Sequence, residues 1–327
     1  MNILDIEHRL IFEYDDYIRE SWMELRVEPR SSVHQTVHSF YLAVGPPSSV
    51  ERYIDWNENY VRHFGVSDYH ERIEVVTRSL VDVHPEHLPL ESLQDAPTVA
   101  TGPLLDFIGF GGPVVRSAGL EALGGSAGAA ATAPIGEQVA ALGHALLERV
   151  RYVPGVTNYL STSDHALLEG SGVCQDFAHL MLGLLRLRSI PCRYVSGYLH
   201  VEGSGDVPSQ SHAWVEVFSA QHGWVAFDPT HGRPPDDTYV SLGRGRHYDD
   251  TPPNRGIYRG SAKESLHAAV RTERCTTRDV VGMHERLEAI DVPVFRELPA
   301  AARERRIALG QQGSQQQQQQ QQQDQQP

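Results

Sequence analysis

The residues with the most chemical promise begin at Cys174. Gly170-Ser171-Gly172-Val173 gives way at Cys174-Gln175-Asp176 to Phe177-Ala178-His179-Leu180-Met181-Leu182, an apolar run at helical spacing. The change predicts a helix over about 173–189, stopped by Pro191, with the cysteine in its first turn. Unpaired N–H groups and the dipole at a helix N-terminus stabilise negative charge, the condition for a nucleophilic thiolate. Cys174, Phe177, Ala178, Met181 and Leu185 share one helical face, so the sulfur turns toward the rest of the fold. A cysteine on such a stripe is most often inert core packing, and it takes further residues to change that reading.

Two stretches downstream supply them. Ser211-His212-Ala213-Trp214-Val215-Glu216-Val217 and Gly223-Trp224-Val225-Ala226-Phe227-Asp228-Pro229 alternate with period two around the loop 218–222, the pattern of a β-hairpin. Pairing Val217 with Gly223 sets His212 directly opposite Asp228. Cross-strand Cβ atoms about 4.5–5.5 Å apart suit an imidazole–carboxylate hydrogen bond. His212, Trp214, Glu216, Trp224 and Ala226 fall on that face, with Ala213, Val215, Val217, Val225 and Phe227 on the other for a core. An ionised Asp orients the imidazole and stabilises its protonated form, which in turn stabilises a thiolate. The three groups together would suit nucleophilic catalysis by a thiolate.

The elements that must position them can be read on either side. Ile135, Val139, Leu142, Leu146 and Val150 keep helical spacing behind Pro134. Gly, Ala and Ser dominate 111–134, and 96–134 is predicted to be a low-complexity linker. Upstream, Met23, Leu25 and Val27 alternate with Glu24, Arg26 and Glu28, and Ile73, Val75, Thr77, Ser79, Val81 and Val83 repeat the pattern. Broken by Glu28-Pro29-Arg30 and Gly45-Pro46-Pro47, these runs predict an all-β sandwich of about seven strands over 1–95. The hairpin side of that sandwich's partner is expected to bury one face and present the His–Asp pair on the other. Strands and turns continue to about 275, amphipathic stretches over 279–309 predict a helical C-terminal extension, and the core therefore spans 135–310. The tail, 311–327, has 13 Gln in 17 residues and is predicted to be disordered.

In this order, residues 172–179, 211–217 and 223–230 resemble the transglutaminase-like superfamily of cysteine acyl-transfer enzymes, in particular its bacterial branch with an N-terminal β-domain. Residues 243–258 also match that branch, with one departure: His247 stands where the branch usually has an acid. The resemblance covers 135–275 by motif and 1–95 by general pattern. It implies an α+β fold with a papain-like core, the cysteine helix packed on an antiparallel sheet. It also implies Cys174 as nucleophile, His212 as general base and acid, Asp228 as orienting group, a peptide or protein amide as substrate, and no metal or organic cofactor. Hydrolysis is the expected outcome. Protein-glutamine transamidation and a non-enzymatic binding scaffold are the alternatives.

Composition narrows the remaining classes. The 327-residue chain carries a net charge of −14, and its first 95 residues hold 18 acidic against 8 basic side chains. That field disfavours nucleic acid and anionic membranes as partners. No run of 18 apolar residues exists to span a bilayer. The opening Met-Asn-Ile-Leu-Asp-Ile-Glu-His-Arg does not read as a secretory signal, and three cysteines make no disulfide framework, so a cytoplasmic location is expected. His34, His38 and the His84-Pro85-Glu86-His87 stretch lack the company of a zinc site and read as solvated surface. His179 lies about 140° round the helix from Cys174 and is not its base. Cys192 reads as core packing, and Asp176 as a helix cap or a support for the site. For an oxyanion hole the candidates are the Cys174 N–H, Tyr152 and Gln175.

Overall fold

The computed structural model describes residues 2–84, 88–202, 211–275 and 287–308. The tail 311–327, residues 85–87 of the histidine stretch and residues 279–286 of the amphipathic stretch 279–309 lie outside them. In the N-terminal region the alternating runs form β1 (Ile3–Leu25), β2 (Gln35–Gly45), β3 (Glu51–Ile54), β4 (Tyr60–Val66) and β5 (His70–Val83). β1, 23 residues long, bends where its register with β5 slips between Glu13 and Ile18 and where Glu20 adopts a positive φ of 53°. Its first half pairs with β5, and β5 with β2; its second half pairs with β4, and β4 with β3. Leu10, Phe12 and Val75 from the first group meet Met23, Leu25 and Phe64 from the second in one buried core. One strand thus serves both layers, which lets a small sandwich close with few chain crossings.

The stretch 96–134 is not a linker. Ser117 caps α1 (Ala118–Ser126) by accepting from the Leu120 N–H at 3.2 Å. Leu120 is buried against Gly183, where an added Cβ would come within 2.7 Å of it. Its small residues allow close helix packing, a use that composition cannot distinguish from flexibility. α2 (Ile135–Arg149) follows, its predicted stripe of Ile135, Val139, Leu142 and Leu146 fully buried. β6 (Arg151–Tyr152), α3 (Ser163–Glu169) and β7 (Ser171–Gly172) lead to α4 (Cys174–Leu187).

β8 (Cys192–Leu199), β9 (Ser211–Ser219), β10 (Gly223–Phe227) and β11 (Tyr239–Gly245) then make an antiparallel sheet in the order β10–β9–β8–β11. α4 lies on its apolar face, where Phe177, Ala178, Met181 and Leu185 meet Ala213, Val215, Val217 and Phe227. The fold is α+β, as expected from the motifs. Cys192 is fully buried in this core, and burial pushes its thiol up to about 11.

Two further strands correct the predicted boundaries. β12 (Asn254–Arg259) and β13 (Glu264–Cys275) leave the second region and pair with β1, β13 on its first half and β12 on its second. Among the described residues the sandwich has seven strands, and 1–95 supplies five of them. Pairing partners are non-local, so alternation alone cannot say which sheet a strand joins. Helix in the C-terminal stretch is confined, among the described residues, to 300–308.

Candidate active site

The hairpin register differs from the predicted one by two residues. Val217 pairs with Val225 and Ser219 with Gly223, leaving a three-residue loop. Gly223, at φ 74°, takes the left-handed conformation that such loops require, and Ser219 Oγ accepts from the N–H groups of Gln221 and His222 at 3.2 and 3.1 Å. A two-residue slip preserves the faces, so the predicted alternation survives. Continued by one residue, the register sets Asp228 against Trp214 and diagonal to His212. The two side chains still meet, with His212 Nε2 2.7 Å from Asp228 Oδ2.

Asp228 is fully buried at the end of β10 and starts a tight turn. Its Oδ1 accepts from the N–H groups of Thr230 (2.8 Å) and His231 (3.3 Å). Besides His212, its Oδ2 takes hydrogen bonds from His231 Nδ1 and the Tyr239 hydroxyl, each at 2.7 Å. Burial alone would push this carboxyl up; the donors from His212, His231 and Tyr239 outweigh it and hold Asp228 well below the usual carboxylate range. Burial likewise pushes the His212 imidazolium down, but hydrogen bonds to Asp228 and Cys174 and their negative charges prevail, raising it to about 9. At neutral pH His212 is an imidazolium between a carboxylate and a sulfur. With Nε2 committed to Asp228, Nδ1 is the nitrogen left for Cys174.

Neither His231 nor Tyr239 figured in the reading of the sequence. His231 could have been suspected from its place three residues after Asp228 in a Pro-Thr-His turn. Tyr239 comes from β11 and has no local signal. Around His212 that face of the hairpin is covered: Trp214 stacks on His212, Tyr239 packs edge-on against both, and buried Glu216 pairs with Arg193 and Arg244.

Asp176 proves to be a cap. Its buried Oδ2 accepts from the Val173 N–H (2.8 Å) and the Thr157 hydroxyl (2.6 Å), tying the start of α4 to the loop before α3. Burial raises its pKa against those two bonds. Gly172 makes room for it, since an added Cβ would lie 2.7 Å from the carboxylate. Cys174 is therefore presented, half-buried, by a fixed helix end. His179, by contrast, is fully buried and points away, accepting from the Tyr248 N–H at 3.2 Å.

Cys174 and His212 open on a cavity of about 470 Å³. Gln175, Tyr152, Tyr194 and Tyr248 line its near side, and His8, Ala268, Ala269 and Val270 of the β-sandwich form the far wall. Burial, then the negative charge at Cys174, raises the pKa of both Tyr152 and Tyr194. Both keep their protons and can donate near the sulfur, as can the Cys174 N–H at the first position of the helix. Gln175 already donates to the Tyr159 carbonyl, at a long 3.5 Å. Among the described residues, the group that could hold a metal is His212, Asp228 and His231, whose ligand atoms lie within 4.8 Å of one another. Their two 2.7 Å contacts to a single oxygen are hydrogen-bond lengths, and a cation there would have to replace the protons.

Comparison with known proteins places these features in context. The core of the transglutaminase-like superfamily matches residues 122–229, starting inside α1, and the bacterial transglutaminase-like N-terminal region matches residues 4–82. An uncharacterised protein of Mycobacterium leprae is 30% identical over 290 residues, spanning 82% of this chain and 98% of its own. A protein-glutamine gamma-glutamyltransferase of Pseudomonas aeruginosa is 31% identical over 141 residues, 38% of this chain and 21% of that one. A solved structure from Cytophaga hutchinsonii, provisionally assigned as a cysteine protease, shares the fold with a TM-score of 0.71 at 20% identity, over 84% of this chain and 91% of that one.

Proposed function

The chain belongs to the transglutaminase-like superfamily, and on that premise we propose that it is a cysteine hydrolase of peptide or protein amides. The observation that carries the reading is the line of three groups: Cys174 at a capped helix end, His212 beside it, and Asp228 bound to His212 Nε2 at 2.7 Å. In the proposed reaction the Cys174 thiolate attacks the amide carbonyl carbon, forming a C–S bond. The oxyanion is met by the Cys174 N–H and by Tyr152 or Tyr194. His212 gives its proton to the amide nitrogen, the C–N bond breaks, and the amine leaves a thioester behind. Neutral His212 then takes a proton from water as the hydroxide attacks the thioester. The C–S bond breaks, releasing the acid and restoring the thiolate–imidazolium pair.

Water is the proposed acceptor because none of the described residues lining the cavity is Asp or Glu, the side chains that would gather an ammonium-bearing substrate. A second reading, transfer of the acyl group to a primary amine, draws support from the transferase relative in Pseudomonas aeruginosa. One experiment separates them: the enzyme is incubated with a glutamine-bearing protein and excess labelled primary amine, with Cys174→Ala as the control. Free acid in excess of incorporated amine supports hydrolysis, and Cys174-dependent incorporation in excess of free acid replaces it with transfer. If no acyl adduct forms on Cys174 with any amide substrate, including small-molecule amides, a binding scaffold becomes the better reading.

A further inference from the structure

Among the described residues, one positive charge in the interior has no counter-charge. Arg186, two turns beyond His179 on α4, is 4% exposed. Its Nη2 donates to the Arg246 carbonyl, while Nε and Nη1 have no acceptor. Among the described residues no carboxylate pairs with it. The Asp250 carboxylate is taken up by Arg246, at 2.8 Å from the backbone N–H and 2.9 Å from Nε and from Nη2. Asp249, about half-exposed, stands 3.7 Å from His247 Nδ1. Cys192 lies beside Arg186, but burial pushes its thiol up to about 11, outweighing the charge and hydrogen bonding of Arg186 that draw it down, so the sulfur carries no charge at neutral pH to balance the guanidinium.

The neighbours of Arg186 share its deficit. His179 Nε2 accepts from the Tyr248 N–H, so in the neutral ring the proton sits on Nδ1, and Nδ1 has no acceptor. The ring is neutral, because burial first, then the positive charges of His247 and Arg186, press its pKa down to about 3. His247 Nδ1 and the fully buried Thr251 hydroxyl are also unpartnered. Every one of these groups can donate; His247 has the Asp249 carboxylate 3.7 Å away, beyond hydrogen-bond reach, and Arg186 and His179 have no negatively charged acceptor among the described residues. Water could accept from them but could not neutralise the guanidinium, and an unpaired buried charge is strongly destabilising.

We propose that Arg186, His179 and His247 bind a small inorganic anion, chloride, beneath the 3₁₀ turn Tyr248–Asp250. A monatomic anion fits because it accepts from several donors at once without demanding one geometry. The site bears on the candidate active site through Tyr248, whose N–H is held by His179 and which lines the cavity. Occupancy would fix that turn, and loss of the anion would loosen one wall.

The test follows thermal unfolding of the full chain at pH 7 in sodium chloride and in sodium gluconate at matched ionic strength. The expected result is a saturable rise in Tm with chloride alone. His247→Asp would put a carboxylate beside Arg186 and should weaken the chloride response at least tenfold while Cys174 alkylation is retained. Crystals of the wild-type chain soaked in bromide should show an anomalous peak within hydrogen-bond reach of Arg186 Nε and Nη1, a readout that does not depend on any variant folding. An identical Tm response to the two salts, or an anomalous map with no peak at Arg186, overturns the proposal in favour of buried water.

Discussion

Asp228 accepts five hydrogen bonds in a fully buried position, and most of the site's energetics follow from it. Asp228→Asn would turn an amide N–H toward donors on one side or the other. We expect a folded protein destabilised by about 3 kcal/mol, measured by urea unfolding, with turnover lower by about 10³–10⁴ because His212 is misoriented. The pH dependence has a definite sign. His212 is raised from 6.5 to about 9, so its contribution is complete below about 6.5 and fades as pH rises through 9. Asp228 is depressed, so its contribution is present above the ordinary carboxylate range and is lost only as pH falls below it. The stability gap between wild type and Asp228→Asn should therefore be widest near pH 5–6 and shrink by a few kcal/mol toward pH 10. A gap that stays constant over that range would count against the coupling. The imidazolium beside Cys174 also predicts the order of alkylation. Iodoacetamide at pH 6 should label Cys174 well before the buried Cys192, and mass spectrometry of the digest would show it.

At the scale of elements, the start of α4 is the part most sensitive to small changes. Gly172→Ala places a methyl 2.7 Å from Asp176, which must release the Val173 N–H or the Thr157 hydroxyl. Loss of a cap costs about 1–2 kcal/mol. The effect on turnover should exceed the effect on Tm, since Cys174 is the first residue of the helix. Wild-type kcat/KM in a destabilised Gly172→Ala would show that the cap does not position the sulfur. The helix itself was legible from spacing, starting and stopping within two residues of the predicted 173–189. The hairpin was legible in its faces but not in its register. Alternation repeats every two residues, so it cannot tell a five-residue loop from a three-residue one; the left-handed Gly223 decides that.

At the scale of the whole molecule, the chain is clasped by its own later strands. β12 and β13 complete the sandwich on β1, and β13 with His8 of β1 walls the cavity at Cys174. Truncation after residue 253 would leave unpaired edges on both halves of β1 and remove that wall. It should yield aggregated protein without turnover, as judged by size-exclusion chromatography. Truncation after residue 310 removes the glutamine-rich stretch and should leave Tm and turnover unchanged. A soluble, active chain ending at 253 would mean that the two regions are independent domains.

What the sequence determined by itself is what chain neighbours determine: the helix that begins at Cys174, the two alternating strands that bear His212 and Asp228, and the apolar faces that join them. These follow from periods of 3.6 and 2, which act within one element. The tertiary structure decided everything that depends on a partner far away in sequence. It added His231 and Tyr239 to Asp228, packed α1 where composition read a linker, and returned residues 254–275 to the first strand. It also placed Arg186 beside His179 and His247 with no carboxylate paired to the guanidinium among the described residues. Strand pairing and buried charge are settled by which surfaces meet, and no local pattern records that meeting.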